Sequence, residues 1–295
     1  MIHRTLLILS MCYAFGSFAQ SKKYLGQTPP LSKPKKFAPG LISTQAEVEF
    51  GSVFSADGTE FFYGVDIDQK PEIRYCKLVN GQWSKPKVLL KHPQYTYHDP
   101  FLSPDEQRLY FISNRPLSGK GAKKDADIWY IQRTTQGWSK PINAGRNINT
   151  DKNEYYISFT QKGSMYFSSN HAAKRSYNYD VYVSRLKKGK FQPSVRLGPG
   201  VNTRRYEADV FVAYDESYLI FCSIRGDASR RGDLYISFKQ KDGSWGKAKD
   251  MGSLINTVSH ELCPFVTKDG KYFFFTRNND IYWVSADIID LYRKQ

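Results

Sequence analysis

Ser103-Pro104-Asp105-Glu106 leads into Leu109-Tyr110-Phe111-Ile112-Ser113-Asn114-Arg115. After a loop comes Asp127-Ile128-Trp129-Tyr130. A polar turn flanked by short aromatic and β-branched runs reads as strand, turn, strand, loop, strand. The same order recurs through the chain. The turns fall at Asp57-Gly58, Asp105-Glu106, Lys162-Gly163, Asp215-Glu216 and Asp269-Gly270, so successive turns are 48, 57, 53 and 54 residues apart. Each turn precedes a run such as Glu60-Phe61-Phe62-Tyr63 or Tyr272-Phe273-Phe274-Phe275. Each loop precedes a run such as Asp180-Val181-Tyr182-Val183 or Asp280-Ile281-Tyr282-Trp283. Fourth strands are expected after Trp83, Trp138, Phe191 and Trp245.

Five units of four short strands, apolar at nearly every position, suit sheets covered on both faces by their neighbours. The chain is therefore expected to be all-β: a five-bladed β-propeller of four-stranded antiparallel blades. Three units end in Ile148-Asn149-Thr150, Val201-Asn202-Thr203 and Ile255-Asn256-Thr257, and the fifth stops after its third strand. Pro39-Gly40-Leu41-Ile42-Ser43-Thr44, ahead of the first unit, resembles Pro199-Gly200-Val201-Asn202-Thr203. The N-terminal strand is thus expected to complete the last blade, close the ring and remove an exposed edge.

The Ser-Pro-Asp turn, Tyr110-Phe111-Ile112-Ser113-Asn114-Arg115 and Asp127-Ile128-Trp129-Tyr130 resemble the WD40-like repeat of TolB-type propellers of the bacterial cell envelope. The resemblance covers about residues 37–286. It implies a periplasmic or secreted interaction module. TolB is similar to a six-bladed propeller with a second domain, whereas five units are counted here.

Lys and Arg total 43 against 28 Asp and Glu in 295 residues, a formal charge of +15. Tyr 21, Phe 19 and Trp 5, with 21 Gly and 14 Pro, agree with strands and turns and exclude wholesale disorder. Residues 1–19 read as a signal peptide: a basic start at Arg4, an apolar run around Leu6-Leu7-Ile8-Leu9, then Ser17-Phe18-Ala19 before a cut. That run is too short to span a membrane, and no later stretch is longer. Met11 ahead of Cys12 disfavours a lipoprotein. Residues 20–36 read as a linker, 37–295 as the propeller, and 287–295 as a short helical tail. Cys76, Cys222 and Cys263 remain after cleavage, which is no disulfide framework, although a Cys222–Cys263 bridge stays open. There is no zinc spacing, so neither cofactor nor metal is expected.

Two groups of candidate site residues emerge. Glu49, Glu154, Glu207 and Glu261 open successive units, with Tyr97 in the second; Asp99 and Asp209 lie two positions further on. They are placed near one mouth of the central channel. There they either hold a cation or amine, or serve the blades by pairing with Arg115, His171, Arg225 and Arg277. The second group is a basic loop face: Arg115, Lys120, Lys123, Lys124, Lys174, Arg175, Arg225, Arg230 and Arg231. It would favour an envelope protein, an anionic glycan or a lipid head group. Secretion argues against nucleic acid. No Gly-x-Ser-x-Gly or His-Glu-x-x-His motif occurs, so no catalytic residue is assigned. The main expectation is a non-enzymatic binding module. The alternative is a glycan-active hydrolase using the channel-mouth carboxylates.

Overall fold

The computed structural model describes residues 23–172, 178–225 and 231–293. The expected signal peptide and its cleavage point lie outside the described residues. The strands form five antiparallel blades in chain order. Blade 1 comprises Val48–Phe54, Glu60–Ile67, Lys70–Val79 and Lys87–Leu90. Blade 2 comprises His98–Leu102, Arg108–Ser113, Asp127–Thr134 and Ile142–Asn143. Blade 3 is Glu154–Phe159, Met165–Ser169, Asp180–Ser184 and Val195–Arg196; blade 4 is Glu207–Val212, Tyr218–Ser223, Asp233–Phe238 and Lys249–Asp250. Blade 5 is Glu261–Val266, Tyr272–Arg277 and Asp280–Ser285, and its outermost strand is Lys35–Lys36 from the other end of the chain. The first strand of each blade is innermost. Val48–Phe54 touches the inner strands of both blade 2 and blade 5, so the five sheets make a ring.

The strands are apolar throughout because both faces of each blade are covered. Every residue of Glu207–Val212 is buried, as is every residue of His98–Leu102. The aromatic residues before the fourth strands pack between blades. Trp138 of blade 2 meets Phe62 of blade 1 edge-on at 6.1 Å, and Trp245 of blade 4 meets Tyr166 of blade 3 at 6.2 Å.

All five expected turns place their second residue in left-handed backbone: Gly58, Glu106, Gly163, Glu216 and Gly270 have φ between 58° and 81°. Glycine takes this conformation freely, whereas a side chain costs about 1–2 kcal/mol. The two glutamates offset that cost across blade boundaries. Glu106 accepts the Ala56 N–H of blade 1 at 2.6 Å, and Glu216 accepts the Tyr166 hydroxyl and Arg185 of blade 3.

The Asn-Thr unit endings are clasps between successive blades. The Asn202 side chain bonds both Val181 N–H and Val181 C=O on the third strand of blade 3. Thr203 then donates its N–H and hydroxyl to Glu207, the first residue of blade 4, at 2.9 and 2.6 Å. Asn149-Thr150 repeats this onto Glu154, and Asn256-Thr257 onto Glu261. Between blades 5 and 1 the same place is taken by Ser43-Thr44. Ser43 bonds Ile281 C=O, and Thr44 donates to Glu49 at 3.2 and 2.7 Å. Between blades 1 and 2 Tyr97 stands where the glutamate would be.

The N-terminal segment is tied to blade 5 at several points. Lys35 and Lys36 pair with Trp283 and Tyr282, and Phe37 N–H donates to Ile281 C=O at 2.8 Å. The fully buried Phe37 ring lies 5.2–5.7 Å from Phe54, Phe61, Phe274 and Trp283, between blades 5 and 1. Part of the stretch read as a linker packs on the ring as well: Tyr24 is buried, and its hydroxyl donates to Asp269 at 3.0 Å. After blade 5 the chain forms a single 3-10 turn, Ala286–Ile288, and a short helix, Ile289–Arg293. The Tyr292 hydroxyl of that helix donates to Met251 C=O. Among the described residues no helix is long and apolar enough to cross a membrane.

Candidate functional site

Two residues after its opening position, every inner strand enters left-handed backbone: Gly51 (φ 48°), Asp99 (51°), Tyr156 (45°), Asp209 (51°) and Cys263 (52°). The pairing with the second strand slips at the same place in all five blades. This is a ring of β-bulges around the channel. At four of the five positions a side chain occupies a conformation that glycine would take without strain. The glycine has its own reason. A Cβ at Gly51 would lie 2.5 Å from Asp99 Oδ1, so the carboxylate of blade 2 occupies the space that a blade 1 side chain would need.

The bulges shape a cavity of about 560 Å³ at one end of the channel. Asp99, Asp209 and Cys263 line it from the bulges, Phe50, His98, Tyr155 and Leu262 from the preceding position, and Thr96, Asn153, Tyr206 and His260 from just before the inner strands. Asp66, Gln69, Asn114 and Lys124 complete the wall. Tyr156 closes the channel beneath: its buried hydroxyl donates 2.9 Å to Pro264 C=O, reaching past blade 4 to blade 5. At the far ends of the inner strands lies a second cavity of about 440 Å³. Phe101, Phe159, Phe211 and Phe265 line it, and the C-terminal helix forms part of its wall.

The electrostatics of the mouth are set by buried carboxylates. Burial, reinforced by the negative charge of Asp99, raises Asp209 from 3.8 to about 7. Asp99 Oδ2 meets His98 Nδ1 at 2.9 Å, and the Cys263 thiol donates to Asp99 Oδ1 at 3.7 Å. Burial holds His260 below its usual value, 3.8 Å from the Cys222 sulfur. Burial also pushes the Tyr155 and Tyr206 hydroxyls up, so both stay protonated donors. Cys76, Cys222 and Cys263 are all free and buried. Among the described residues no cluster of three or more His, Cys, Asp or Glu could hold a metal ion.

The candidate residues divide sharply. Asp99 and Asp209 face the cavity together. Glu49, Glu154, Glu207 and Glu261 are fully buried and spent on the clasps. Glu154 also accepts from Ser169, Glu207 from Ser223 and Arg225, and Glu261 from Arg277 at 2.9 Å. Burial raises Glu49 and Glu154 to about 7, because the hydroxyls and N–H groups only partly replace water. Of the basic residues, Arg225 bonds Glu207 and Val201 C=O, and Arg115 lies over the Trp129 ring at 4.9 Å. Lys124 is held by Asp125 and Asp127 at 3.1 and 2.7 Å. Lys120, Lys123 and Arg231 are exposed. Lys174, Arg175 and Arg230 lie outside the described residues.

Sequence reading missed Tyr155, Tyr206, His98, His260, Asn153 and Asp66. A usable signal existed: all but Asp66 lie one residue before or after the repeated acidic position, where the five units disagree with one another. Residues that repeat build blades. Residues that change around the ring line its mouth.

No family model and no curated protein matches the chain. Solved structures do. TolB from Acinetobacter baumannii is 11% identical, with 80% of this chain and 54% of that one covered and a TM-score of 0.50. A Dyadobacter fermentans protein of unknown function is 11% identical, with 88% and 83% covered and a TM-score of 0.50. An α-L-arabinofuranosidase from Podospora anserina, solved in complex with cellotriose, is 9% identical, with 86% and 97% covered and a TM-score of 0.54. The fold is that of a TolB-type β-propeller. The chain spans about half the length of the TolB structure, and at these identities the likeness is one of fold.

Proposed function

We propose that this chain is a non-enzymatic, extracytoplasmic binding module of the bacterial cell envelope that takes a glycan at the channel mouth. One observation carries the reading. The cavity gathers two flat tyrosines, Tyr155 and Tyr206, the amides of Gln69, Asn114 and Asn153, and the carboxylates Asp66, Asp99 and Asp209 around about 560 Å³. Aromatic faces take the C–H surfaces of a sugar, and amides and carboxylates take its hydroxyls. The exposed Lys120 and Lys123 sit on the same loop as Lys124 and can add contacts to anionic groups on a longer chain. A glycan array probed with the purified protein tests this. Retention on defined glycans should disappear in the Asp99→Asn/Asp209→Asn double variant and persist in Lys120→Ala/Lys123→Ala. Retention unaffected by the aspartate changes would place the ligand elsewhere.

A second reading, a glycan-active hydrolase, rests on the same pair. Asp209, raised to about 7 beside Asp99, has the character of a general acid. The binding reading expects no release from a panel of aryl glycosides. Release that vanishes in Asp209→Asn would decide for the hydrolase.

A further inference from the structure

The carboxylates of the mouth are short of hydrogen-bond donors. Asp209 is only 7% exposed and lines the cavity, yet it meets the backbone N–H of Cys263 and, among the described residues, no side chain. Asp66 Oδ1 is buried on the same cavity with no partner among the described residues. Asp99, whose charge acts on Asp209, is satisfied by His98 and the Cys263 thiol. Lys124, the lysine of this wall, is engaged by Asp125 and Asp127. An ionised carboxylate accepts up to about four hydrogen bonds, and burying one without donors is strongly unfavourable. A ligand that brings a cation and several N–H donors to this point removes that penalty. A neutral sugar hydroxyl does so far less well.

Resting on the reading of this mouth as a glycan site, we propose that its occupant carries an unacetylated amino sugar, whose ammonium group is received by Asp209. Tyr155 and Tyr206 line the same cavity, and an aromatic face favours a cation as well as a sugar ring. The overall charge of +15 repels simple cations, so capture depends on this local, directional arrangement. Acetylation would remove the charge and place an N-acetyl group against buried carboxylates, so the site discriminates between the two forms of the same sugar.

Isothermal titration calorimetry at neutral pH on the full chain tests the proposal with three probes: a glucosamine tetramer, the fully N-acetylated tetramer, and trilysine. The glucosamine tetramer should bind at least about tenfold more tightly than its acetylated form. Asp209→Asn should reduce that preference by about tenfold, with a melting curve confirming that the variant folds. Equal binding of the two tetramers overturns the amine assignment and leaves the glycan site standing. Trilysine binding without tetramer binding overturns the glycan assignment. No binding by any probe overturns both readings.

Discussion

Glu207 and Asp209 sit two residues apart on one inner strand, and both are buried carboxylates. Glu207 receives Thr203 twice, Ser223 and Arg225. Asp209 receives one backbone N–H and faces an open cavity. Burial and chemical type are alike; what differs is the use made of the acceptor oxygens. The first position is filled by Glu in four of five blades and holds the ring together. The second is Gly, Asp, Tyr, Asp and Cys around the ring, and gives the mouth its chemistry.

The comparison breaks first on stability. Glu207→Ala leaves the Thr203 donors and Arg225 without their acceptor, and is expected to cost about 3–5 kcal/mol in urea denaturation. Asp209→Asn keeps the shape, removes a buried charge and leaves only one backbone donor to satisfy. It should stay within about 1 kcal/mol of wild type, on either side of zero. Equal losses in the two variants would erase the distinction.

A second expectation concerns pH. Glu49 and Glu154 titrate near 4.5 when unfolded and about 7 when folded, so the folded state binds protons more tightly in that interval. Their contribution to stability is therefore fully present below about pH 4.5 and is lost as pH rises through 7. Together the two shifts correspond to at most about 7 kcal/mol. Melting temperatures measured across this range should fall toward neutrality. A flat profile would mean that the Thr44 and Thr150 donors fully compensate burial.

The bulge ring can be tested by a coupled pair. Gly51→Ala meets both a left-handed backbone and the Asp99 carboxylate 2.5 Å from the new Cβ, and should cost about 2 kcal/mol. In an Asp99→Ala background the carboxylate clash disappears, leaving the left-handed backbone and a 3.2 Å approach to the Cα of residue 99, and the cost should fall to about 1 kcal/mol. Smallest of all, Lys120→Ala and Lys123→Ala on their exposed loop should each stay within about 0.5 kcal/mol.

Much of the fold was legible because a propeller repeats its structural needs. Five turns at a near-constant step, the leading Asp of the third strands in blades 2 to 5, and the packing aromatics Trp138 and Trp245 recur because each blade meets the same physical need. Phe37 was harder to read, since its value comes from contacts with residues more than 200 positions away, such as Phe274 and Trp283. The mouth was only partly legible. Asp99 and Asp209 stand out as acids near a repeated position. The change from blade-serving to cavity-facing over two residues depends on a β-bulge, which no residue type announces when Asp, Tyr and Cys all adopt it. Tyr206 and His260 face the cavity because the chain crosses the rim just before each inner strand, a consequence of the closed ring.

Carboxyl-carbon NMR of the selectively labelled protein, titrated with the glucosamine tetramer, tests the central distinction most directly. The Asp209 resonance is expected to titrate near neutral pH and to move on ligand addition, while the Glu207 resonance stays still. Movement of Glu207, or an Asp209 signal indifferent to a ligand that demonstrably binds, would contradict that distinction.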